Sequence, residues 1–303
     1  MSFYLVQYRG NYVKKYHVDI RGLQVGEGYP VRLMGVVNLS TESFYKKSVV
    51  TRQEDIQDMI QRLEQDGADI IDIGGASSAP KNVYGTTEIS ENEEMNRIET
   101  AMKTIVECTK LPLSVDTTSS RVAEVALDTG AHIINDISGL KADSEIAKVV
   151  ADYEVPIILM ANCETPCENI RASLSAIEQS IRVALDVGIS NEKIIIDPGI
   201  GFGKPSKVDY SILRDLDQFT ALCRPLLVGV SRKAFIGTLL EQRDPADRLV
   251  GSLAATAIAV YKGANMIRTH DIIETKQAVK VAEAIRGQLI NFSMDVTDGD
   301  ELG

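Results

Sequence analysis

The sequence has no run that approaches the ~20 consecutive apolar residues a membrane-spanning helix needs. It opens without a charged segment, apolar stretch and small-residue cleavage site in series, because Tyr8, Arg9, Lys14 and Lys15 interrupt the one early apolar run. A soluble, cytoplasmic protein is expected. Cysteine is scarce as well: Cys108, Cys163, Cys167 and Cys223 are too few and too scattered to staple a chain of 303 residues. Cys163 and Cys167 are spaced C-x₃-C with no second pair or nearby histidine, so reduced loop thiols are expected there in place of a metal or redox site.

Basic residues are outnumbered, 32 Lys and Arg against 43 Asp and Glu, for a net charge of −11. Sequence-independent binding to nucleic acid or to an anionic membrane depends on clustered cations, so neither is expected as a partner. An anionic substrate has to meet a local basic site. Two nucleotide signatures are also missing. The glycine-rich run DPGIGFGK at 197–204 does not fit G-x-x-x-x-G-K-[ST], and no dinucleotide fingerprint follows the first strand.

What the chain does have is a regular alternation. After residue 30, short β-rich apolar runs take turns with longer amphipathic ones, as when parallel strands are joined by crossover helices. Strands are predicted at 31–37, 69–73, 112–115, 132–134, 156–160, 193–196, 225–228 and 265–268. Helices follow at about 52–65, 90–109, 119–129, 143–152, 170–187, 208–221, 245–262 and 271–289. A glycine-alanine pair recurs before three strands, in DGADIID, TGAHIIN and KGANMIR, where the glycine suits the left-handed residue that ends a helix. Eight such units predict an α/β fold, a (β/α)₈ TIM barrel at 31–290. Residues 1–30 predict an N-terminal β-hairpin, turning at Arg9-Gly10-Asn11 and covering the barrel's bottom or an edge, and 291–303 an acidic, flexible tail.

The active site of such a barrel forms at the C-terminal ends of its strands. Polar residues collect there: Asn38, Gly74-Gly75-Ala76-Ser77-Ser78, Asp116, Asn135-Asp136, Met160 with Asn162, Asp197, Ser231-Arg232-Lys233 and Arg268-Thr269-His270. Asp116, Asn135 and Asp197 come from three strands, and their oxygens can accept from a ring rich in N–H donors. Taken singly, each reads better as the cap of the next helix, Asp116 above all before Thr117-Thr118-Ser119-Ser120, but three together with basic residues opposite are poorly explained as caps alone. Arg232, Lys233, Arg268 and His270 supply up to four cationic or donor groups, the makings of a phosphate site. Cations at a helix start oppose its dipole, so Ser231-Arg232-Lys233 there calls for a bound anion. Lys233 alternatively turns toward a ring carbonyl. The glycines of 197–204 let backbone approach a flat ligand, and Phe202 offers a stacking face. His17 and His132 read as structural.

The segments MGVVNLSTESF (34–44), DIIDIGGASSAP (69–80), SVDTTSSRVAEVAL (114–127), HIINDISG (132–139), IIIDPGIGFGK (194–204), LLVGVSRKAFIG (226–237), DRLVGSLAAT (247–256) and MIRTHD (266–271) resemble, in order and spacing, those of dihydropteroate synthases. The likeness runs from residue 31 to about 288. It implies that a 6-hydroxymethyl-7,8-dihydropterin pyrophosphate is joined to an arylamine in folate or tetrahydromethanopterin biosynthesis. It implies that Asp116, Asn135, Asp197 and Lys233 hold the pterin with Met160 packed against it. Asn38, Arg268 and His270 would take the pyrophosphate, Asn38 beside a Mg²⁺ ion, while Ser77, Ser78, Phe202 and Ser231 shape the arylamine side; Lys233, Arg268 and His270 are the expected catalytic groups. A homodimer is implied as well. The first loop departs from the family pattern, as do Ala76, Ser78 and Ala79 in the second loop and Ala161 after Met160. A larger, phosphorylated arylamine met by Lys46 and Lys47 would suit those departures. A pterin-dependent methyltransferase on the same barrel and a pterin-binding protein without catalysis are the alternatives.

Overall fold

A hairpin of β1 (His17–Ile20) and β2 (Leu23–Gly26) precedes eight parallel strands in the computed structural model, which describes residues 16–40, 49–50, 52–77, 89–163 and 165–287. The parallel strands are β3 (Arg32–Asn38), β4 (Ile70–Gly74), β5 (Leu113–Asp116), β6 (Ile133–Asp136), β7 (Ile157–Met160), β8 (Ile194–Asp197), β9 (Leu227–Gly229) and β10 (Met266–Thr269). Neighbours from β3 to β8 pair in sequence, and β10 pairs with both β3 and β9. A bridge between Ile196 and Leu226 brings β8 round to the start of β9, so the sheet curls into the barrel the alternation predicted.

Around it stand α1 (Gln53–Asp66), α2 (Glu91–Cys108), α3 (Ser120–Asp128), α4 (Ile146–Asp152), α5 (Ile170–Val187), α6 (Ser206–Arg214), α7 (Asp217–Thr220), α8 (Ala234–Leu240), α9 (Leu249–Tyr261) and α10 (Ile272–Arg286). Ser90, Ser119 and Asn169 start three of them by accepting from the N–H of Glu93, Val122 and Ala172. The recurring glycine-alanine pairs are the corners expected: Gly67, Gly130 and Gly263 have positive φ, and the following alanines are buried. The helix expected at 208–221 is instead two, broken at Asp215, and α8 is an additional short helix after β9.

A hairpin does stand before the barrel. Its turn is Arg21-Gly22, both with positive φ, and Asp19 Oδ1 accepts the Gly22 N–H at 2.7 Å. The turn expected at 9–11 lies outside the described residues, as does the tail.

Side chains alternate across a strand, so inward positions recur every second residue. The lower inward layer is Met34, Ile70, Ile133, Ile158, Ile195, Leu227 and Met266, and the hairpin's Val18, Ile20 and Val25 pack against it. The hairpin thus covers the bottom of the barrel. Two residues further along each strand come Val36, Asp72, Asn135, Met160, Asp197, Gly229 and Arg268. The interior is apolar below and polar at the mouth. Outward-facing strand residues meet the helices in the larger core.

Candidate active site

Asp72 anchors the polar layer. It has no exposed surface, its Oδ2 accepts from Arg268 Nε at 2.7 Å, and its Oδ1 accepts from the Ser114 hydroxyl at 2.6 Å. Asn135 Nδ2 lies 3.4 Å from the same carboxylate. Arg268 makes a longer contact, 3.4 Å, to Asp116 Oδ2, and Asp116 pairs in register with Asn135. Burial works against the guanidinium's charge, but Asp72, Asp116 and Asp197 outweigh it and raise its pKa. Arg268, Asp116 and Asn135 therefore meet as the strand-end pattern predicted. Asp72 was missed because it sits inside an apolar run, and the signal that finds it is its spacing of two from the inward Ile70.

Asp197 and Lys233 face this cluster from β8 and the loop after β9. Asp197 Oδ1 accepts the Gly199 N–H at 2.7 Å; burial raises its pKa, with Lys233 the chief opposing influence. Lys233 is pushed down to about 8, by burial first, with Asp197 and Asp209 opposing and Arg268 and Lys204 adding to the push. Its Nζ donates to the Ile200 carbonyl and lies 4.1 Å from the centroid of the Phe202 ring, so that ring is occupied by the lysine. Gly229 lies between the two cations, where a Cβ would stand 3.6 Å from Arg268 Cβ and 3.9 Å from Lys233 Nζ, in ordinary contact with both. Met160 pairs in register with Asp197, which places it beside the same mouth.

One expectation about the cations needs correction, and a second narrows. Arg232 is no part of an anion site: it is buried, grips Asp271 through two bonds of 2.8 and 2.6 Å, and donates to the carbonyls of Pro245 and Ala246. That ion pair, with its partner on the loop after β10, is the cause that the helix dipole seemed to demand of a ligand. His270 is half-buried and is neutral near pH 7, its pKa pushed down to about 3 by burial and then by Arg268, Arg232 and Lys233. Of the cationic or donor reading, that leaves it the donor half. Ser231 Oγ and His270 Nδ1 are 2.9 Å apart.

Asn38 ends β3, half-buried, opposite Gly74 of β4, and Ser77 is half-buried just beyond that strand. Ser78, Ala79, Lys46 and Lys47 lie outside the described residues. His132 is structural as expected, its Nδ1 accepting the Leu113 N–H at 3.1 Å at the far end of the barrel. Cys163 and Cys167 are not reduced thiols: the loop after β7 folds back to bring their Cα atoms within 5.4 Å, and they form a disulfide. That bond helps line a cleft of about 260 Å³ with Met160, Asn162, Phe202 and Lys204. Among the described residues no group of three or more His, Cys, Asp or Glu stands together to hold a metal, and no helix is long and apolar enough to cross a membrane.

The pterin binding enzyme family matches residues 34–270. The chain is 37% identical over 256 residues to a dihydropteroate synthase of Clostridium beijerinckii, covering 84% of this chain and 93% of that one. A dihydropteroate synthase from Coxiella burnetii, solved in complex with pteroic acid, superposes with a TM-score of 0.79 at 32% identity, over 89% of this chain and 98% of that one. The Xanthomonas albilineans dihydropteroate synthase solved with 4-aminobenzoic acid gives a TM-score of 0.79 at 32% identity, over 90% and 99% of the two chains.

Proposed function

The chain belongs to the dihydropteroate synthase family of pterin-binding enzymes, and from that membership we propose how its residues share the work. The reaction joins a 6-hydroxymethyl-7,8-dihydropterin pyrophosphate to an arylamine and releases pyrophosphate. The observation that carries the residue assignment is the inward polar layer: one face presents the oxygens of Asp116, Asn135 and Asp197, the other the cations of Lys233 and Arg268. A ring with several N–H donors and one carbonyl matches that pattern, the carboxylates accepting and Lys233 donating. Met160 packs against the ring.

Arg268 then serves the leaving group. Its contact with Asp116 is the weaker of its two, 3.4 Å against 2.7 Å to Asp72, so a ring N–H arriving at Asp116 displaces that contact and turns the guanidinium toward the pyrophosphate. His270, neutral and held at Nδ1 by Ser231, presents a donor to the same anion without adding charge. The C–O bond to pyrophosphate lengthens as positive charge builds on the dihydropterin methylene, and the neutral arylamine nitrogen attacks it and then loses a proton to solvent. No side-chain nucleophile is needed; fixed charge at the departing oxyanion supplies the acceleration. The donor set fits Mg²⁺ in the mode where one protein oxygen, here the Asn38 amide, joins waters and substrate phosphates, and the ion would neutralise pyrophosphate charge.

The acceptor this reading favours is 4-aminobenzoate, the ligand of the Xanthomonas albilineans enzyme. A phosphorylated substrate that does not cross membranes places the work in the cytoplasm. The exposed apolar side chains of Val250 and Ile258 on α9 and of Val281 and Ile285 on α10 support a homodimer. Pyrophosphate release from the dihydropterin substrate, measured with 4-aminobenzoate and with its ribosyl phosphate derivative, tests the reading. Release with 4-aminobenzoate is expected. Release with the derivative alone reassigns the acceptor, and release with neither removes the enzyme reading.

A further inference from the structure

The lysine at the mouth does not hold itself in place. Lys233 precedes α8, and its side chain crosses to the loop after β8, where three consecutive residues receive it: Ile200 through its carbonyl, Gly201 through close contact with the stem, and Phe202 through its ring. That loop has no regular structure of its own, with positive φ at Gly199, Gly201 and Gly203. Gly201 is required there, since a Cβ would run into the Lys233 stem as well as strain the backbone. Two side chains fasten the loop, one its own and one from α6. Lys204 Nζ donates to the carbonyls of Gly199 at 2.6 Å and Ala161 at 3.4 Å, tying its first turn to the end of β7. Asp209, in the first turn of α6, accepts the Gly201 N–H at 2.8 Å.

Asp209 is 2% exposed, and a buried carboxylate persists only where it is used. An asparagine would accept the same N–H without the desolvation cost, so the charge needs a separate reason. Burial raises the pKa of Asp209, and what favours the charged form against that is the Gly201 N–H and then the charges of Lys233 and Lys204.

We propose that Asp209 is a positioning residue for Lys233: through Gly201 it fixes the cradle in which the lysine lies, and it sets a second negative charge behind that lysine. The inference rests on Lys233 serving the pterin as assigned above. Lys233 faces Asp197 from β8, Arg268 from β10, Asp209 from α6 and Lys204 from the glycine loop; the first and third favour its ammonium form, and the other two oppose it. Burial has already brought Lys233 down to about 8, close to working pH. Removing one of the two carboxylates that support it lowers it further, so more of the enzyme loses the proton that Lys233 donates.

The test compares wild type, Asp209→Asn and Asp209→Ala in kcat/KM for the dihydropterin pyrophosphate across about pH 6 to 9. A pterin analogue is titrated calorimetrically over the same range. Asn keeps the acceptor for Gly201 and removes the charge. Its profile should match wild type closely near pH 6 and fall at lower pH on the alkaline side, a loss of roughly twofold near pH 8 that grows to about threefold near pH 9 for a half-unit shift. Ala also orphans the Gly201 N–H and should lose roughly tenfold at every pH. Superimposable wild-type and Asn profiles overturn the electrostatic role, and an Ala variant that behaves as Asn does overturns the cradle. Thermal unfolding checks that each variant is folded, and Asn, which preserves the bond, decides the question if Ala is not. Should wild type bind the analogue but release no pyrophosphate, the transfer reading fails, and the calorimetric profiles alone judge Asp209.

Discussion

Asp72 lies at the convergence of three side chains, and its two oxygens account for the setting of Arg268, Ser114 and Asn135 together. Removing one partner of a buried pair leaves the other charge uncompensated, at a cost of about 3 kcal/mol or more. Asp72→Asn is therefore expected to lower unfolding stability by about that amount and kcat/KM by at least roughly tenfold, read by urea denaturation and steady-state kinetics. Unchanged kinetics in a folded variant would mean that Asp116 alone can hold Arg268. Legibility varied residue by residue for physical reasons. Asp116, Asn135, Asp197 and Lys233 stand at strand ends, where position implies a role. Asp72 is enclosed in IIDI and shows only through alternation. Arg232 looked like a ligand group because its true partner, Asp271, is 39 residues away. The neutrality of His270 and the Cys163–Cys167 bond depend on burial and loop path, which local sequence does not carry.

Among the elements, strands and corners were the most readable. Runs of Val, Ile and Leu buried on both faces, three of them entered through a glycine with positive φ and a small alanine, leave few alternative structures. The hairpin turn at Arg21-Gly22 went unread because Arg9-Gly10-Asn11 carries similar turn chemistry, and the contact of Val18, Ile20 and Val25 with the lower barrel layer is not visible in local sequence. Helices α9 and α10 pack on each other yet leave Val250 78% and Ile285 70% exposed. If that face joins two copies, Val250→Glu places a charge in an apolar contact and should leave a monomer at micromolar concentration, with twice the chain mass for wild type in analytical ultracentrifugation. Equal sedimentation of the two would clear this face of the role.

Across the whole molecule, a net charge of −11 coexists with a cluster of cations at one end of the barrel, Lys204, Arg232, Lys233 and Arg268. The excess acid is not spread through that end: Asp72, Asp116, Asp197 and Asp209 are the carboxylates that face Lys233 and Arg268, and they hold the pair charged in a low-dielectric mouth. Below them the hairpin and the apolar layer close the interior, so a ligand enters only from the strand ends. The central claim is that this polar layer receives a pterin. Calorimetric titration of a pterin analogue into wild type and Asp197→Asn tests it most directly, because the amide keeps the shape and presents an N–H to a ring donor. Affinity is predicted to fall by about 2 kcal/mol, roughly thirtyfold, in the variant. Equal affinity in the two proteins, with both folded, would contradict the account.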